Sequence, residues 1–198
     1  MGRIVISENT TLDGVIQDPV GDDGGFRFAG WFDQLAGKDR EAWAKAEFEE
    51  ALGTDALLLG RRTYDWFVAQ GWASRTGEWA DRLRSLPKYV VSSSIPDDPE
   101  WTNSTILGGS VADAVTTLKH TVGGDVVVYG SGRLAHALIE QDLVDELRLM
   151  VCPFVLGTGE RLFGGIRNRK SVRLVDTRAV GDSLVQLTYQ PVKASRAG

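Results

Sequence analysis

The sequence predicts an α/β fold with a mixed, mostly parallel sheet, helices on both faces and an antiparallel C-terminal edge. Continuously apolar runs at 56–59 and 126–129 are typical of strands buried on both faces. Stretches with helical spacing separate such runs, which indicates parallel strands joined by crossover helices. The last quarter differs, because two strand patterns there meet at Gly181-Asp182, a typical hairpin turn.

The first half of the chain alternates short apolar runs with an amphipathic stretch. Residues 4–6 open the chain as a strand, and residues 56–59 and 89–91 are predicted as further strands by their apolar character. Between the first two, residues 39–52 place Trp43 and other apolar side chains on one helical face. This segment is therefore predicted to be a helix.

The second half continues the alternation and then ends in strands. Ser110 is predicted to cap a helix, with Asp113 three residues later as in a capping box, and the strand at 126–129 follows. A stripe formed by Leu134 and Leu138 predicts one more helix. Three strand patterns complete the sheet, at 145–155, 172–180 and 184–192. The chain is expected to form one domain over 1–192, with 193–198 as a flexible tail.

Composition excludes several classes of chemistry. Among 198 residues with a net charge of −5, the chain has one cysteine, Cys152, and two histidines, His120 and His136. A disulfide framework, a cysteine- or histidine-rich metal site and a nucleophile–histidine triad are therefore not expected. The charge gives no drive toward nucleic acid, and no apolar run approaches a membrane span. We expect a reduced, cytoplasmic protein that binds a small molecule, with no metal.

A glycine-containing turn after the strand at 126–129 is the first candidate binding site. It reads Gly130-Ser131-Gly132-Arg133 and opens a helix, whose first N–H groups suit a phosphate. A standard Rossmann fold is not expected, because no acidic residue ends the next strand to hold a ribose. The alternative is that the glycines only pack the helix against the sheet.

Two further strand ends are rich in hydrogen-bond donors. Gly60-Arg61-Arg62-Thr63 leads from a strand into a helix, and its guanidinium groups suit an anion with several oxygens. The serines at 92–94 follow another strand. Either turn alone could be a solvated loop, but three donor-rich strand ends together indicate one extended cofactor that carries phosphates.

The order of these motifs resembles the dihydrofolate reductase-like superfamily. The similarity is greatest to the branch that includes the reductase domain of the bifunctional riboflavin-pathway deaminase–reductase. The motifs that support the resemblance are Thr11-Leu12-Asp13-Gly14, Gly60-Arg61-Arg62-Thr63-Tyr64, Ser92-Ser93, Gly130-Ser131-Gly132-Arg133-Leu134, Val144-Asp145-Glu146-Leu147 and Pro153-Phe154-Val155-Leu156-Gly157-Thr158-Gly159. The resemblance implies a three-layer α/β/α sandwich, NADPH as cofactor and a homodimer.

The resemblance also assigns cofactor-binding positions. Ser92 and Ser93 match the position that receives the 2′-phosphate, and the Leu12-Asp13-Gly14 loop is similar to the segment over the nicotinamide. Two turns match the segments around the adenosine side and the pyrophosphate: the first comprises Gly60, Arg61, Arg62 and Thr63, and the second Gly130, Ser131, Gly132, Arg133 and Leu134.

Catalytic residues are less well specified by the sequence. Dihydrofolate reductases hold the pterin with a carboxylate on the first helix, but the sequence around Asp33 and Asp39 does not match that pattern. Riboflavin-pathway reductases usually have glutamate before the glycine pair, where this chain has Tyr129. Asp13 is the acid expected nearest the reacting ring. The alternative is that Asp13 only forms a turn with Gly14.

An aromatic segment at 24–32 is predicted to wall the substrate pocket. It shows neither strand nor helix periodicity, and its rings suit a flat substrate. Packing over the core or against a second subunit is the alternative. The pocket residues expected from the sequence are Phe26, Phe28, Trp31, Phe32 and Tyr129.

These observations predict an NADPH-dependent reductase that transfers a hydride to a small, flat heterocyclic or carbonyl substrate. Two alternatives remain open. One is a module of the same fold that binds a nucleotide or ligand without catalysis, and the other is a true dihydrofolate reductase.

Overall fold

Eight strands form one sheet in the computed structural model, which describes residues 1–21, 25–35, 37–92 and 99–192. The strands are β1 (Arg3–Thr11), β2 (Ala56–Gly60), β3 (Lys88–Val91), β4 (Ser104–Leu107), β5 (Asp125–Tyr129), β6 (Glu146–Cys152), β7 (Val172–Val180) and β8 (Leu184–Pro191). The helices are α1 (Gly37–Gly53), α2 (Arg61–Ala69), α3 (Glu78–Ser85), α4 (Val111–Thr121) and α5 (Gly132–Glu140), and a 3₁₀ helix spans Trp31–Gln34.

The sheet is mixed, as predicted. Its order is β4-β3-β2-β5-β1-β6-β8-β7, and the pairs from β4 to β6 are parallel. β8 pairs antiparallel with β6 and with β7, so the antiparallel edge lies at the C-terminal end of the chain. The predicted tail at 193–198 lies outside the described residues.

Helices cover both faces of the central strands. Alternate residues of β1 serve the two layers: Val5 packs under α1, α2 and α3, whereas Ile4 and Ile6 pack under α4 and α5. All three side chains are fully buried. Apolar runs without alternation are expected of strands buried on both sides, which explains why the sequence pattern identified them.

Three local features differ from the sequence expectations. The strand predicted at 145–155 ends at Cys152, because Pro153 has no N–H with which to continue a ladder. The helix α3 and the strand β4 were not predicted; β4 has only four residues, none of them fully buried. Ser110 does cap α4, since its Oγ accepts a hydrogen bond from Asp113 N at 3.5 Å.

Within the described ranges, no helix combines the length and apolar character needed to cross a bilayer.

Candidate functional site

The order of the strands reverses at β1 and β5, and this reversal opens a cavity at their carboxyl ends. From β1 the chain crosses over α1 to β2, whereas from β5 it crosses over α5 to β6 in the opposite direction. The two crossovers lie on opposite faces, so a crevice remains between the strand ends. The cavity there has a volume of about 1290 Å³. Pockets that hold one drug-sized ligand have volumes of roughly 300–1000 Å³, so there is room for a cofactor and a second small molecule.

Two helix-starting loops meet at one end of the cavity and are joined by hydrogen bonds. Gly60 N donates to Ser131 Oγ at 2.9 Å, and Ser131 N donates to Thr63 Oγ1 at 3.0 Å. Ser131 Oγ in turn donates to the carbonyl of Tyr129 at 3.1 Å. These bonds fix the N-termini of α2 and α5 relative to each other before a ligand binds.

The same end of the cavity suits an anion with several oxygens. Gly130 and Ser131 take left-handed backbone angles, with φ of 53° and 60°, and this turn leads directly into α5. The first N–H groups of a helix have no partner within the helix and give its N-terminus a partial positive charge. The exposed side chains of Arg61, Arg62 and Arg133 add full positive charges to the lining. This combination is typical of a phosphate site.

The cavity brings together the two predicted cofactor turns. Ser92 directly follows Val91, which lines the cavity at the end of β3, and Ser92 N donates to Leu107 O at 3.2 Å. Ser93 lies outside the described residues. The predicted residues that line the cavity are Gly60, Arg61, Arg62, Thr63, Gly130, Ser131, Gly132, Arg133 and Leu134.

Aromatic side chains form another part of the wall. Trp43 contacts the ring of Phe32 with a centroid distance of 4.8 Å and that of Trp79 at 5.8 Å, and Trp79 contacts Trp72 at 5.3 Å. All four rings line the cavity. Edge-to-face contacts of this kind hold the rings in fixed positions, so they offer a rigid surface to a flat ligand.

The aromatic segment predicted as the pocket wall contributes mainly through Phe32. Trp31 is only 1% exposed and packs in the core, with its Nε1 donating to Gln17 O at 2.9 Å. Phe26 packs against the same core cluster and, like Phe28, is not among the lining residues. Gly24 lies outside the described residues. The rest of the aromatic wall comes instead from α1, α2 and α3 and the turn between the last two.

Asp13 lies in the turn after β1, and its carboxylate is occupied by that turn. It accepts hydrogen bonds from Thr11 Oγ1 at 2.7 Å and from Gly157 N at 2.8 Å, and it forms an ion pair with Arg161 at 3.3 Å. The Thr11 hydrogen bond is the largest cause that lowers the pKa of Asp13 to about 2. Asp13 is not among the lining residues. These contacts favour the turn-forming interpretation of Asp13 over the catalytic one.

The carboxyl that the first helix contributes to the cavity is Glu47. Asp39 instead accepts hydrogen bonds from Asp182 N at 2.6 Å and Ser183 N at 3.1 Å in the β7–β8 turn, and the exposed Asp33 pairs with Arg40 at the cavity edge. Glu47 lines the cavity yet is only 8% exposed. Burial, then the nearby carboxylates of Glu50 and Glu8, raise its pKa well above the ordinary value. Sequence reasoning missed Glu47, although its place one turn after Trp43 was a usable signal.

A second buried carboxyl, Glu8, lines the cavity from the end of β1. The residue before it, Ser7, pairs with Tyr129 of β5, so Glu8 lies beside the predicted pyrophosphate turn. Burial raises the pKa of Glu8 to about 8. Glu8 was also missed; a lone acid inside a strand pattern was the signal in the sequence.

Tyr129 lines the cavity as predicted for the pocket, and its hydroxyl is buried. Burial, followed by the negative charges of Glu50 and Glu47, raises the pKa of Tyr129 well above its ordinary value. The phenol therefore stays neutral across the physiological range and can offer a hydrogen bond.

Comparison with known proteins relates the chain to one family. The family model described as the RibD C-terminal domain matches residues 3–186. A curated relative, the uncharacterized protein YyaP of Bacillus subtilis (strain 168), is 28% identical over 198 residues and the match covers 94% of each chain. The resemblance identified from the motifs is therefore confirmed.

Solved structures share the fold. A candidate riboflavin biosynthesis protein from Shewanella sp. PV-4 aligns with a TM-score of 0.74 at 22% identity, over 96% of this chain and 99% of that one. The dihydrofolate reductase of Enterococcus faecalis, solved with NADP(H), aligns with a TM-score of 0.60 at 17% identity over 96% of each chain. These alignments confirm the predicted dihydrofolate reductase-like fold.

Proposed function

Since the chain belongs to the family of the RibD C-terminal domain, we propose that it is an NADPH-dependent reductase, which transfers a hydride to a small, flat heterocyclic or carbonyl substrate. The main support is that one cavity unites a preformed anion site with a rigid aromatic wall. When bound, NADPH supplies the hydride, and the protein binds, orients and shields the reactants.

The residues of the cavity fit such a cofactor. Its pyrophosphate needs backbone donors and positive charge, which the linked loops beginning α2 and α5 provide. At Gly130, a Cβ would lie 3.6 Å from Thr63 and would occupy the space between the two loops. The shared fold of the Enterococcus dihydrofolate reductase, solved with NADP(H), further supports this cofactor.

The proposal is tested first by binding and then by turnover. NADPH binding can be monitored through quenching of tryptophan emission, because Trp66 and Trp79 line the cavity. The titration is expected to reach saturation below millimolar concentration. The reactive partner is sought by NADPH oxidation at 340 nm with a panel of pterins, folates, quinones and carbonyl compounds. Absence of NADPH binding at millimolar concentration would rule out the reductase. Binding without turnover on any compound would favour the alternative of a catalytically silent module.

One observation favours a folate or pterin as a second candidate class of substrate. Glu47 places a buried carboxyl of the first helix in the cavity, where dihydrofolate reductases use such a group to hold the pterin. An assay with dihydrofolate decides the point. If the wild-type protein reduces dihydrofolate, the Glu47→Gln variant should have a higher KM for dihydrofolate. If dihydrofolate is not reduced, the substrate belongs to one of the other compound classes of the panel.

Replacing Ser92 and Ser93 by alanine is expected to narrow the preference for NADPH over NADH. Only NADPH carries the 2′-phosphate, and these serines match the position that receives it. Loss of a hydrogen bond to a charged group costs about 1.5–3 kcal/mol, so the ratio of the two dissociation constants should fall by roughly tenfold or more. Titration of wild-type and variant protein with both cofactors measures the ratio. An unchanged ratio would place the 2′-phosphate elsewhere.

A homodimer formed through the C-terminal edge of the sheet is also proposed. Val172, Leu174 and Val175 of β7 and Val185 of β8 are between 38% and 47% exposed, although they lie in regular strands. An uncovered edge strand with apolar side chains is a surface that soluble proteins normally protect. Light scattering should give twice the monomer mass, and Leu174→Lys should shift it toward the monomer.

A further inference from the structure

Glu8 stands where the order of the strands places the nicotinamide end of a bound cofactor. The carboxyl ends of β3, β2, β5 and β1 follow one another across the sheet. The proposed 2′-phosphate site lies at β3, and the proposed pyrophosphate site lies between β2 and β5. An extended dinucleotide that occupies both sites therefore reaches β1 with its nicotinamide. Ile16, from the loop after β1, already contacts this path, since a Cβ on Gly132 would lie 2.8 Å from its Cδ1.

The side chain of Glu8 lines the cavity, and one of its carboxyl oxygens makes no hydrogen bond within the described ranges. It is 7% exposed, and its Oε2 has no hydrogen-bond partner among the described residues. A buried polar group without a partner is costly, so proteins usually retain one for a purpose. With its pKa raised to about 8 by burial, the carboxyl is mainly protonated at pH 7. A neutral acid beside a hydride-transfer site can supply a proton.

Other charged and titratable groups border this part of the cavity. Glu47 of α1 interacts electrostatically with Glu8. It also interacts electrostatically with Glu50 on the same helix and with Arg178 of β7. Arg148 of β6 is paired with Glu50 at 3.0 Å. The remaining titratable or charged lining groups are Asp18 and Asp33 after β1, Arg40 of α1, Arg61 and Arg62 of α2, Arg75, Glu78 of α3, Tyr129 of β5, Arg133 of α5, and Glu160.

We propose that Glu8 is the proton donor of the reduction and that its ionised form binds the oxidised, positively charged cofactor in preference to the reduced one. This inference rests on the proposed function and assigns a residue to its chemistry. NADPH and NADP⁺ differ in the charge of the nicotinamide ring, and the carboxylate of Glu8 would lie beside that ring in low dielectric, where such a difference has a large effect.

Reduction of a C=O, C=N or C=C bond requires a hydride and a proton. The hydride brings both electrons from the nicotinamide to one atom of the double bond, and the O–H bond of Glu8 breaks so that its proton bonds to the other atom. The products are the reduced substrate, the oxidised cofactor and the Glu8 carboxylate, which takes a proton back from water.

Linkage fixes the direction of the pH effect. NADP⁺ stabilises the Glu8 carboxylate and lowers its pKa below the value of about 8 in the free protein. Below that pH, Glu8 of the free protein is protonated, and NADP⁺ must displace this proton to bind. The affinity for NADP⁺ therefore rises with pH and levels off at a pH where Glu8 is already ionised in the free protein. NADPH brings no positive ring and gains nothing from the carboxylate. The ratio of the NADPH to the NADP⁺ dissociation constant should therefore rise with pH.

Calorimetric titration of the full chain with NADP⁺ and with NADPH tests this inference. Between about pH 6 and pH 9 the ratio of the dissociation constants should rise at least about tenfold, which corresponds to a shift of one pKa unit. Titration of the 2′-phosphate cancels in the ratio, because both cofactors have it. At pH 7, measurements in two buffers of different ionisation enthalpy should show proton release with NADP⁺ and none with NADPH.

Variants identify the group responsible. Glu8→Gln keeps the size of the neutral side chain and should make the ratio independent of pH, whereas Glu49→Gln, the same change at an exposed position of α1, should behave as wild type. A wild-type ratio that does not change with pH, or a pH effect that survives Glu8→Gln and disappears in Glu47→Gln, would overturn the inference and leave the reductase proposal intact. If neither cofactor binds, the reductase proposal fails and the inference fails with it.

Discussion

Gly132→Asp is expected to weaken NADPH binding by about 100-fold while the protein stays folded. Gly132 is the first residue of α5 and lies in the loop proposed to receive the pyrophosphate. A carboxylate there would repel the phosphates and replace them at the N–H groups of the helix. Placing like charges together costs several kcal/mol, and 100-fold corresponds to about 2.7 kcal/mol. The fold should tolerate the change, because an acidic residue in the first turn stabilises a helix.

Gly132→Asn provides the matched control. Asparagine has the size and shape of aspartate without its charge, and both would place a Cβ near Ile16 Cδ1. The steric effect therefore cancels between the two variants, and the difference in NADPH affinity reports charge alone. Fluorescence titration of both variants gives the comparison, with thermal unfolding as the check on folding. Equal affinities for the two variants would show that the phosphates do not bind at α5.

The two binding predictions separate the parts of the cofactor. Gly132→Asp acts on the pyrophosphate, which NADPH and NADH share, so it should weaken both to a similar extent. The serine replacements at 92 and 93 act on the 2′-phosphate and should weaken NADPH alone. A cofactor bound along the strand ends in the order of the sheet predicts both patterns together, because β3, β2 and β5 are neighbours.

The sequence indicated the two glycine-containing turns of the cavity because their signals are local. Gly60 ends an apolar strand, Gly130 follows one, and a helix begins within two residues of each glycine, so a short window contains the whole pattern. The bonds that join these turns could not be foreseen in the same way. Ser131 and Thr63 are 68 residues apart, and only the adjacency of β2 and β5 brings them to 3.0 Å.

The acidic groups of the cavity were missed for a physical reason. Both Glu8 and Glu47 are glutamates, a residue type that usually lies on the surface. Charged side chains are almost never fully buried unless they are paired. Whether such a residue is buried depends on neighbours distant in sequence, which the pattern around it does not contain. Trp31 shows the opposite error. A large ring in a loop rich in glycine suggested that Trp31 forms part of the pocket wall. Instead, Trp31 contacts Phe154 and donates a hydrogen bond to the carbonyl of Gln17, and it packs in the core.

The ion-pair cluster around Arg148 holds the elements that support the cavity. Its guanidinium contacts Glu50 of α1 at 3.0 Å, Asp125 of β5 at 2.8 Å and Glu146 of β6 at 2.7 Å. The side chain of Arg148 is 19% exposed, so the cluster is largely shielded from solvent. Burial alone would lower the pKa of Arg148, but Glu50 and the other carboxylates raise it above the ordinary value. The guanidinium is thus a permanent cation among acids.

Arg148→Met should lower the free energy of unfolding by about 3–5 kcal/mol, since removing one partner of a buried ion pair leaves uncompensated buried charge. Glu50 would lose its cation beside Glu47 and Tyr129, whose pKa values Glu50 already raises. Urea unfolding at neutral pH measures the change.

Arg178→Met makes the same replacement in an exposed ion pair, where Arg178 lies 3.8 Å from Glu49, and should cost less than about 1 kcal/mol. If the two variants were equally stable, the buried cluster would contribute no more than a surface pair. A partial recovery in Arg148→Lys is expected, because an ammonium restores the charge but cannot contact three carboxylates with the planar geometry of a guanidinium.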